Sequence, residues 1–319
     1  LAFKLAAAAL TASLLAHTTS SWAGSLNYCQ GQAELNADVQ DRLIQVAAVV
    51  KTELDRSGHN VALISRSGLA LQQLDQRYSH AGVSLKSSPN TPWSVRQLYY
   101  ACDEQRPRIF DQGMSGFVLG AHDPAEGYVS LVLLPPEPAL ALEKAALDDR
   151  QALALLGGTY SANAHTFSQQ YQNCNQWLAE LLASAWGEPS PGDGARSQAQ
   201  QWLRTQGYQP TVLKLNWQPL MWLASVLPWL HSDDHPVTDL AQAQFRVSMP
   251  QSIASFVRAQ WPSSTHIELC YTDTHMVLRR GWEPIAAGCA PGPRDEVTHW
   301  PPTTRAQQTA DPASSIDRY

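Results

Sequence analysis

Tyr171-Gln172-Asn173-Cys174-Asn175-Gln176-Trp177-Leu178 is the stretch on which the reading of this chain turns. Trp177, Leu178, Leu181, Leu182 and Ala185 recur at helical spacing, and Gly187 stops the pattern. Asn173 is placed to cap this helix, which puts Cys174 in its first turn. The first backbone N–H groups of a helix have no intrahelical partner and together carry about half a positive charge. They favour a thiolate over a thiol, and they can also hold the oxyanion formed when a thiolate attacks a carbonyl. A cysteine at such a position is a candidate nucleophile.

The rest of the chain says where that thiol works. Lys4, the apolar run Leu5 to Ala16 and the small-residue end Ser21-Trp22-Ala23 read as a cleavable signal peptide over residues 1–23. The run is about 12 residues and a membrane span needs about 20. A periplasmic or secreted protein is therefore expected, with no transmembrane helix after cleavage. In that compartment disulfides persist. There are five cysteines: Cys29, Cys102, Cys174, Cys270 and Cys289. Cys270 and Cys289 end two neighbouring apolar runs and make the first pairing, leaving Cys29 with Cys102 as the second. Four cysteines allow three connectivities, so this is a preference among them. Cys174 is the odd thiol. No C-x-x-C spacing occurs, which argues against a structural zinc site.

The 319 residues are 44% hydrophobic and 16% charged, with a formal net charge of −6. That composition supports a real core. No basic patch exists to recruit nucleic acid. Residues 36 to 57 read as a helix capped by Asn36. Val61 to Ser65, His80 to Leu85, Trp93 to Tyr100, Phe117 to Leu119 and Tyr128 to Leu134 read as strands, and about 137 to 156 as a helix. The Pro- and Gly-rich segment 188–194 is the best internal boundary. Beyond it lie a short helix near 197 to 206, a strand at Thr211 to Leu215, and an apolar stretch at 219–230, read as buried. A helix opened by Ser248-Met249-Pro250 and the strands ending at Cys270 and Cys289 follow. The expected organisation is a core over 24–187, a C-terminal extension over 188–290 packed on it, and a disordered tail over 291–319.

A thiol nucleophile needs a base within hydrogen-bond reach. His80, in Tyr78-Ser79-His80-Ala81-Gly82, opens a strand flanked by small residues and is the first candidate. Gln97 on the following strand is placed to orient the imidazole, with His122 the second choice. His on a strand, a polar residue on the next strand, then Asn-Cys at a helix start is the order of the circularly permuted papain-like thiol enzymes, including the NlpC-type branch. Asn173-Cys174-Asn175-Gln176-Trp177 is similar to the Asn-Cys-Glu-His-Phe motif of their lecithin:retinol acyltransferase branch. The chain also resembles an uncharacterised family of secreted proteobacterial proteins known as a domain of unknown function. That likeness includes Tyr78 to Gly82, Asn173 to Asn175, Asp233-Asp234-His235-Pro236, Met249 to Ile253 and Gly281 to Ile285.

The resemblance implies an α+β fold: a circularly permuted papain-like core, in which an antiparallel sheet packs on helices, followed by a C-terminal α/β extension. It implies Cys174 as nucleophile, His80 as base and Gln97 as the orienting residue, with no cofactor. Gln97 stands where permuted enzymes often carry His, and a neutral amide supplies no charge to an imidazolium. The expected activity is hydrolysis or acyl transfer at an amide or ester, with a cell-envelope peptide or lipid as substrate. Two rival readings stand beside it. One is a catalytically silent secreted binding or scaffold protein with Cys174 buried. The other is a metal-binding protein using His231, Asp234 and His235, the donors of a cluster that reads more simply as a solvated loop.

Overall fold

The computed structural model describes residues 35–69, 71–121, 123, 125–187, 194–215 and 227–301. The expected signal peptide, Cys29, His122, most of the 188–194 boundary, residues 219–226 of the apolar stretch and the tail from 302 lie outside the described residues.

An eight-stranded, wholly antiparallel sheet organises the chain. Its strands are β1 (Val61–Arg66), β2 (His80–Leu85), β3 (Ser94–Ala101), β4 (Arg106–Gln112), β5 (Gly127–Leu133), β8 (Thr265–Tyr271), β9 (His275–Arg280) and β10 (Glu296–His299). They lie in the order β10-β9-β8-β5-β1-β2-β3-β4. The helices are α1 (Ala37–Arg56), α2 (Met114–Leu119), α3 (Pro136–Leu147), α4 (Asp149–Ala154), α5 (Cys174–Trp186), α6 (Ala195–Thr205), α7 (Val237–Ala241) and α8 (Pro250–Gln260). A separate hairpin pairs β6 (Thr211–Lys214) with β7 (Gln244–Val247).

The sheet is buried on both faces, which is why β1 reads as the unbroken apolar run Val61-Ala62-Leu63-Ile64. Val61 and Leu63 join the layer that contains α3 and α5, while Ala62 and Ile64 join the layer that contains α1 and α2. The same alternation sends Ala81, Val83 and Leu98 toward α5, and Trp93 and Val95 toward α1 and α2. Full burial of each such Val or Leu side chain contributes about 1.5–3 kcal/mol.

The mixed α+β class with a large antiparallel sheet is as expected, and several boundaries are not. Phe117 to Leu119 is helical, within α2, because Phe117 and Val118 bury together from one side of a helical turn. The helix expected over 137 to 156 breaks at Asp148, whose extended backbone lets its carboxylate accept from the N–H groups of Arg150 and Gln151 and start α4. Strand β4, carrying Pro107, and β7 were not foreseen. Pro107 is tolerated because β4 is an edge strand. The expected tail starts too early: Glu296–His299 pairs with β9 as β10. The boundary at 188–194 does not divide the sheet either, because β8 from the expected extension pairs with β5 over seven residues. At the described end of the apolar stretch Trp229 is buried in the core, and Leu227 and Leu230, half-buried, pack against it.

Candidate active site

Helix α5 delivers Cys174 to the sheet. Asn173 caps it, with Oδ1 accepting from the Gln176 N–H at 2.7 Å. Every residue from Cys174 to Ser184 is buried, so the helix runs through the core and not over the surface. It lies against β2 and β3. The ladder between those strands stops at Val83 and Arg96, and the Ala81 N–H beyond it favours the Cys174 thiolate. The N–H groups of Asn175 and of Cys174 itself do the same. All three N–H groups thus act in the same sense, and Ala81 lies where the pairing of β2 with β3 has ended.

Burial nevertheless decides the charge on this thiol. It pushes Cys174 up to about 11, against the three N–H groups and the Arg66 guanidinium, which all favour the thiolate. The helix terminus is present, and desolvation outweighs it. Cys174 is the free cysteine among the described residues and is 6% exposed. Cys270 and Cys289 form the expected disulfide, their Cα atoms 5.4 Å apart. Cys29, the expected partner of Cys102, lies outside the described residues.

His80 and Gln97 are brought together. Gln97 Oε1 accepts from His80 Nε2, and Gln97 Nε2 donates to Gln112 Oε1 at 2.7 Å. With Gln97 Oε1 as the acceptor, Nε2 carries the proton and Nδ1 keeps the basic lone pair. Burial pulls the imidazole down to about 3, Arg66 pushes the same way, and the Gln97 bond opposes both. Thiol and imidazole are therefore both neutral at pH 7. Strand alternation turns the His80 ring toward Phe117, 6.0 Å away on the α2 side, whereas Ala81 and Cys174 belong to the α5 layer. Cys174 Sγ meets the strand one residue from His80, and no hydrogen bond among the described residues joins thiol to imidazole.

Each residue of Tyr78-Ser79-His80-Ala81-Gly82 holds this corner. The Tyr78 hydroxyl donates to Glu268 Oε1, which also accepts from Arg77 at 2.8 Å, while Glu268 Oε2 accepts from the Ile285 N–H at 2.6 Å. Ser79 Oγ accepts from the Leu69 N–H at 2.8 Å, and its carbonyl accepts from Asn175 Nδ2 at 3.1 Å. Gly82 lets β2 and β3 close up just beside the parting: a Cβ there would lie 2.7 Å from both the Arg96 carbonyl oxygen and Val95 Cγ1.

Behind Cys174, α5 carries a buried carboxylate that sequence reasoning missed. Glu180 accepts from Arg196, Gln172, Gln176 and Gln200 at 2.6–3.2 Å. Arg196 also donates to the carbonyls of Ser168, Gln169 and Tyr171, and so clamps the loop that leads into the helix. The available signal was the paired spacing of Gln172 with Gln176 and Arg196 with Gln200, four residues apart and flanking a carboxylate in an apolar helix. Gln112 was also missed, since it becomes visible only once β4 is recognised.

The 231–235 cluster makes most of its bonds elsewhere, although Asp234 Oδ1 and His235 Nδ1 are buried with no hydrogen-bond partner among the described residues. The His231 ring stacks on Tyr171 at 4.3 Å, Asp233 accepts from Gln170 and Tyr171, and Asp234 accepts from the His165 N–H. His235 Nε2 donates to the Asn163 carbonyl at 2.7 Å. Among the described residues no group of three or more such side chains is arranged to hold a metal ion. A cleft of about 480 Å³ lies elsewhere, against Glu53, His266, Arg280 and Trp282, and does not include Cys174, His80 or Gln97.

Residues 53–257, well over half of the chain, match the model of a family described as an uncharacterised protein conserved in bacteria, DUF2145. The chain belongs to the DUF2145 family. No curated protein and no solved structure matches it. The DUF2145 match takes in β1 to β7 and the whole constellation of His80, Gln97, Gln112, Cys174, Glu180 and Arg196. Glu268, which anchors Arg77 and Tyr78, lies beyond its end.

Proposed function

We propose that this DUF2145 protein is an exported cysteine-dependent hydrolase or acyltransferase, acting on an amide or ester carbonyl of the cell envelope. The observation that carries the reading is the setting of Cys174. Cys174 is a free thiol in the first turn of a helix capped by Asn173, the N–H groups of Asn175, Cys174 and Ala81 favour its thiolate, and Ala81 adjoins His80, whose imidazole bonds Gln97. The order of these residues, and the likeness to permuted papain-like enzymes, support the same assignment. The segment 1–23, read as a signal peptide, supports export.

The chemistry follows from two neutral partners. It requires the His80 ring to turn from the α2 side, where it rests near Phe117, to the thiol; there Nδ1 takes the thiol proton as Sγ attacks the carbonyl carbon, and the carbonyl π electrons move to oxygen. The Cys174 backbone N–H faces that developing oxyanion. Collapse re-forms the carbonyl and breaks the bond to the leaving group, which departs with the proton from His80. The product is a thioester on Cys174. Water, or an acceptor nucleophile, then attacks the thioester, gives its proton to His80, and frees the acid or the transferred acyl product. The thiol regains that proton.

One observation favours a catalytically silent scaffold instead: the thiol is buried and no hydrogen bond joins it to His80. Alkylation of Cys174 by iodoacetamide, on mature protein with its disulfides intact, separates the two. An assisted thiol reacts near neutral pH, and His80→Ala slows it at least tenfold, since a positioned acid–base group contributes about 10²–10⁴-fold. A thiol that reacts only after unfolding sinks the enzyme reading and leaves the scaffold.

A further inference from the structure

Asn175 follows Cys174 and is 2% exposed. Its carboxamide is pinned from one side: Nδ2 donates to the Ser79 carbonyl at 3.1 Å, against the residue that precedes His80. Its Oδ1 is buried and has no hydrogen-bond partner among the described residues. The Nδ2 bond also sets which way the amide points, because two oxygens facing each other would gain nothing. Gln176 shows the contrast. Its Oε1 is unpaired too, but its Nε2 is held among Thr166, Ser168 and Glu180, on the side of α5 away from His80. Buried acceptors of this kind are rare in folded proteins, and leaving one unmade costs free energy in the resting state.

We propose that Asn175 Oδ1 is a specificity determinant, accepting a hydrogen bond from a substrate N–H next to the reacting carbonyl. The inference rests on Cys174 being the nucleophile and deepens that reading. It selects secondary amides, peptide bonds among them, over esters and tertiary amides. An ester offers no donor at that position and leaves Oδ1 unpaired in the complex. A site built to bond an N–H discriminates against an analogue that lacks it more sharply than an apolar pocket discriminates by size. The N–H also arrives at a residue adjoining the nucleophile, so the contact orients the carbonyl as well as recognising the amide.

The test uses three small reagents on the full mature chain: N-methyl-2-chloroacetamide, N,N-dimethyl-2-chloroacetamide and methyl chloroacetate. In each, Sγ bonds to the methylene carbon and chloride leaves with the electron pair. Rates at Cys174 are divided by those of N-acetylcysteine, which removes intrinsic reactivity. The expected result is a preference for the secondary amide of about tenfold over both others, falling to near one in Asn175→Leu while all three reagents still label. A normalised ratio near one in the unaltered protein overturns the inference without any variant, and so does a preference that survives Asn175→Leu. Cys174 that reacts with none of the three until unfolded overturns the thiol-enzyme reading itself. Equal labelling by all three overturns only the role of Asn175.

Discussion

Cys174 is pulled two ways. Backbone N–H groups favour its thiolate, and burial favours its thiol more strongly, so it rests neutral beside a neutral His80. Two mechanisms then give different pH profiles. Attack assisted by neutral His80 should be flat from about pH 5 to 8, because neither group titrates between about 3 and about 11. Unassisted attack should climb about tenfold per pH unit toward 11, in proportion to the thiolate. Initial alkylation rates across that range decide between them. Replacing the neutral amide beside the imidazole tests the orienting role: Gln97→Glu should raise the His80 pKa by about 1–3 units, read by NMR titration. The same residues shape stability. Between pH 6.5 and about 3 the unfolded chain binds a proton at His80 that the folded chain refuses, so stability falls as pH falls through that window. At the alkaline end Cys174 keeps a proton that the unfolded chain releases above 9, so stability falls again as pH rises from 9 to about 11. His80→Leu should flatten the acid slope in thermal melts. The capped helix start at Asn173 and Cys174 and the strand opening at His80 were legible in sequence, because capping and strand-start patterns are local. The electrostatic balance was not, since it depends on how deeply α5 lies in the core.

Helix α5 shows what an element hides. Its apolar stripe was readable, but Glu180 breaks no local rule and reveals its role only when Arg196 folds back upon it. Glu180→Gln leaves the Arg196 cation buried and uncompensated. We expect a loss of about 3–5 kcal/mol in urea denaturation, together with slower Cys174 labelling as the 166–172 loop loosens. On β2, Gly82→Ala puts a methyl group within 2.7 Å of backbone on β3. A cost of about 1–3 kcal/mol is expected, by the same measurement. Strand β1 was legible because burial on both faces makes it uniformly apolar. The strand expected at Phe117 failed for a related reason: three apolar residues in a row fit a strand or a buried helical turn equally well, and only packing against α1 and β3 chooses. Edge strand β4 escaped because its exposed face mixes Arg106 and Arg108 with Phe110 and it carries Pro107.

Among the described residues one eight-stranded sheet carries helices on both faces beside the separate β6–β7 hairpin, and strands β8 to β10 from the C-terminal third are woven into that sheet. The disulfide between Cys270 and Cys289 ties β8 to the loop after β9 across a sequence separation of 19. Removing it with Cys270→Ala and Cys289→Ala should cost about 2–4 kcal/mol, seen as a lower midpoint in thermal melts. The pairing was legible because neighbouring apolar runs bring their ends together. The division into core and extension was not, because a Pro- and Gly-rich segment marks a loop without saying whether the chain afterwards returns to the same sheet. That return has a practical consequence. The family match ends at residue 257, yet β5 takes its outer partner, β8, from residues 265–271. It also begins at residue 53, near the end of α1, which covers one face. A fragment trimmed to those borders would expose the hydrogen-bonding edge of β5 and an uncovered apolar face together, the combination that recruits other chains. It should precipitate where the longer chain stays in solution, so the recognisable unit of descent is smaller than the unit that can be expressed and purified.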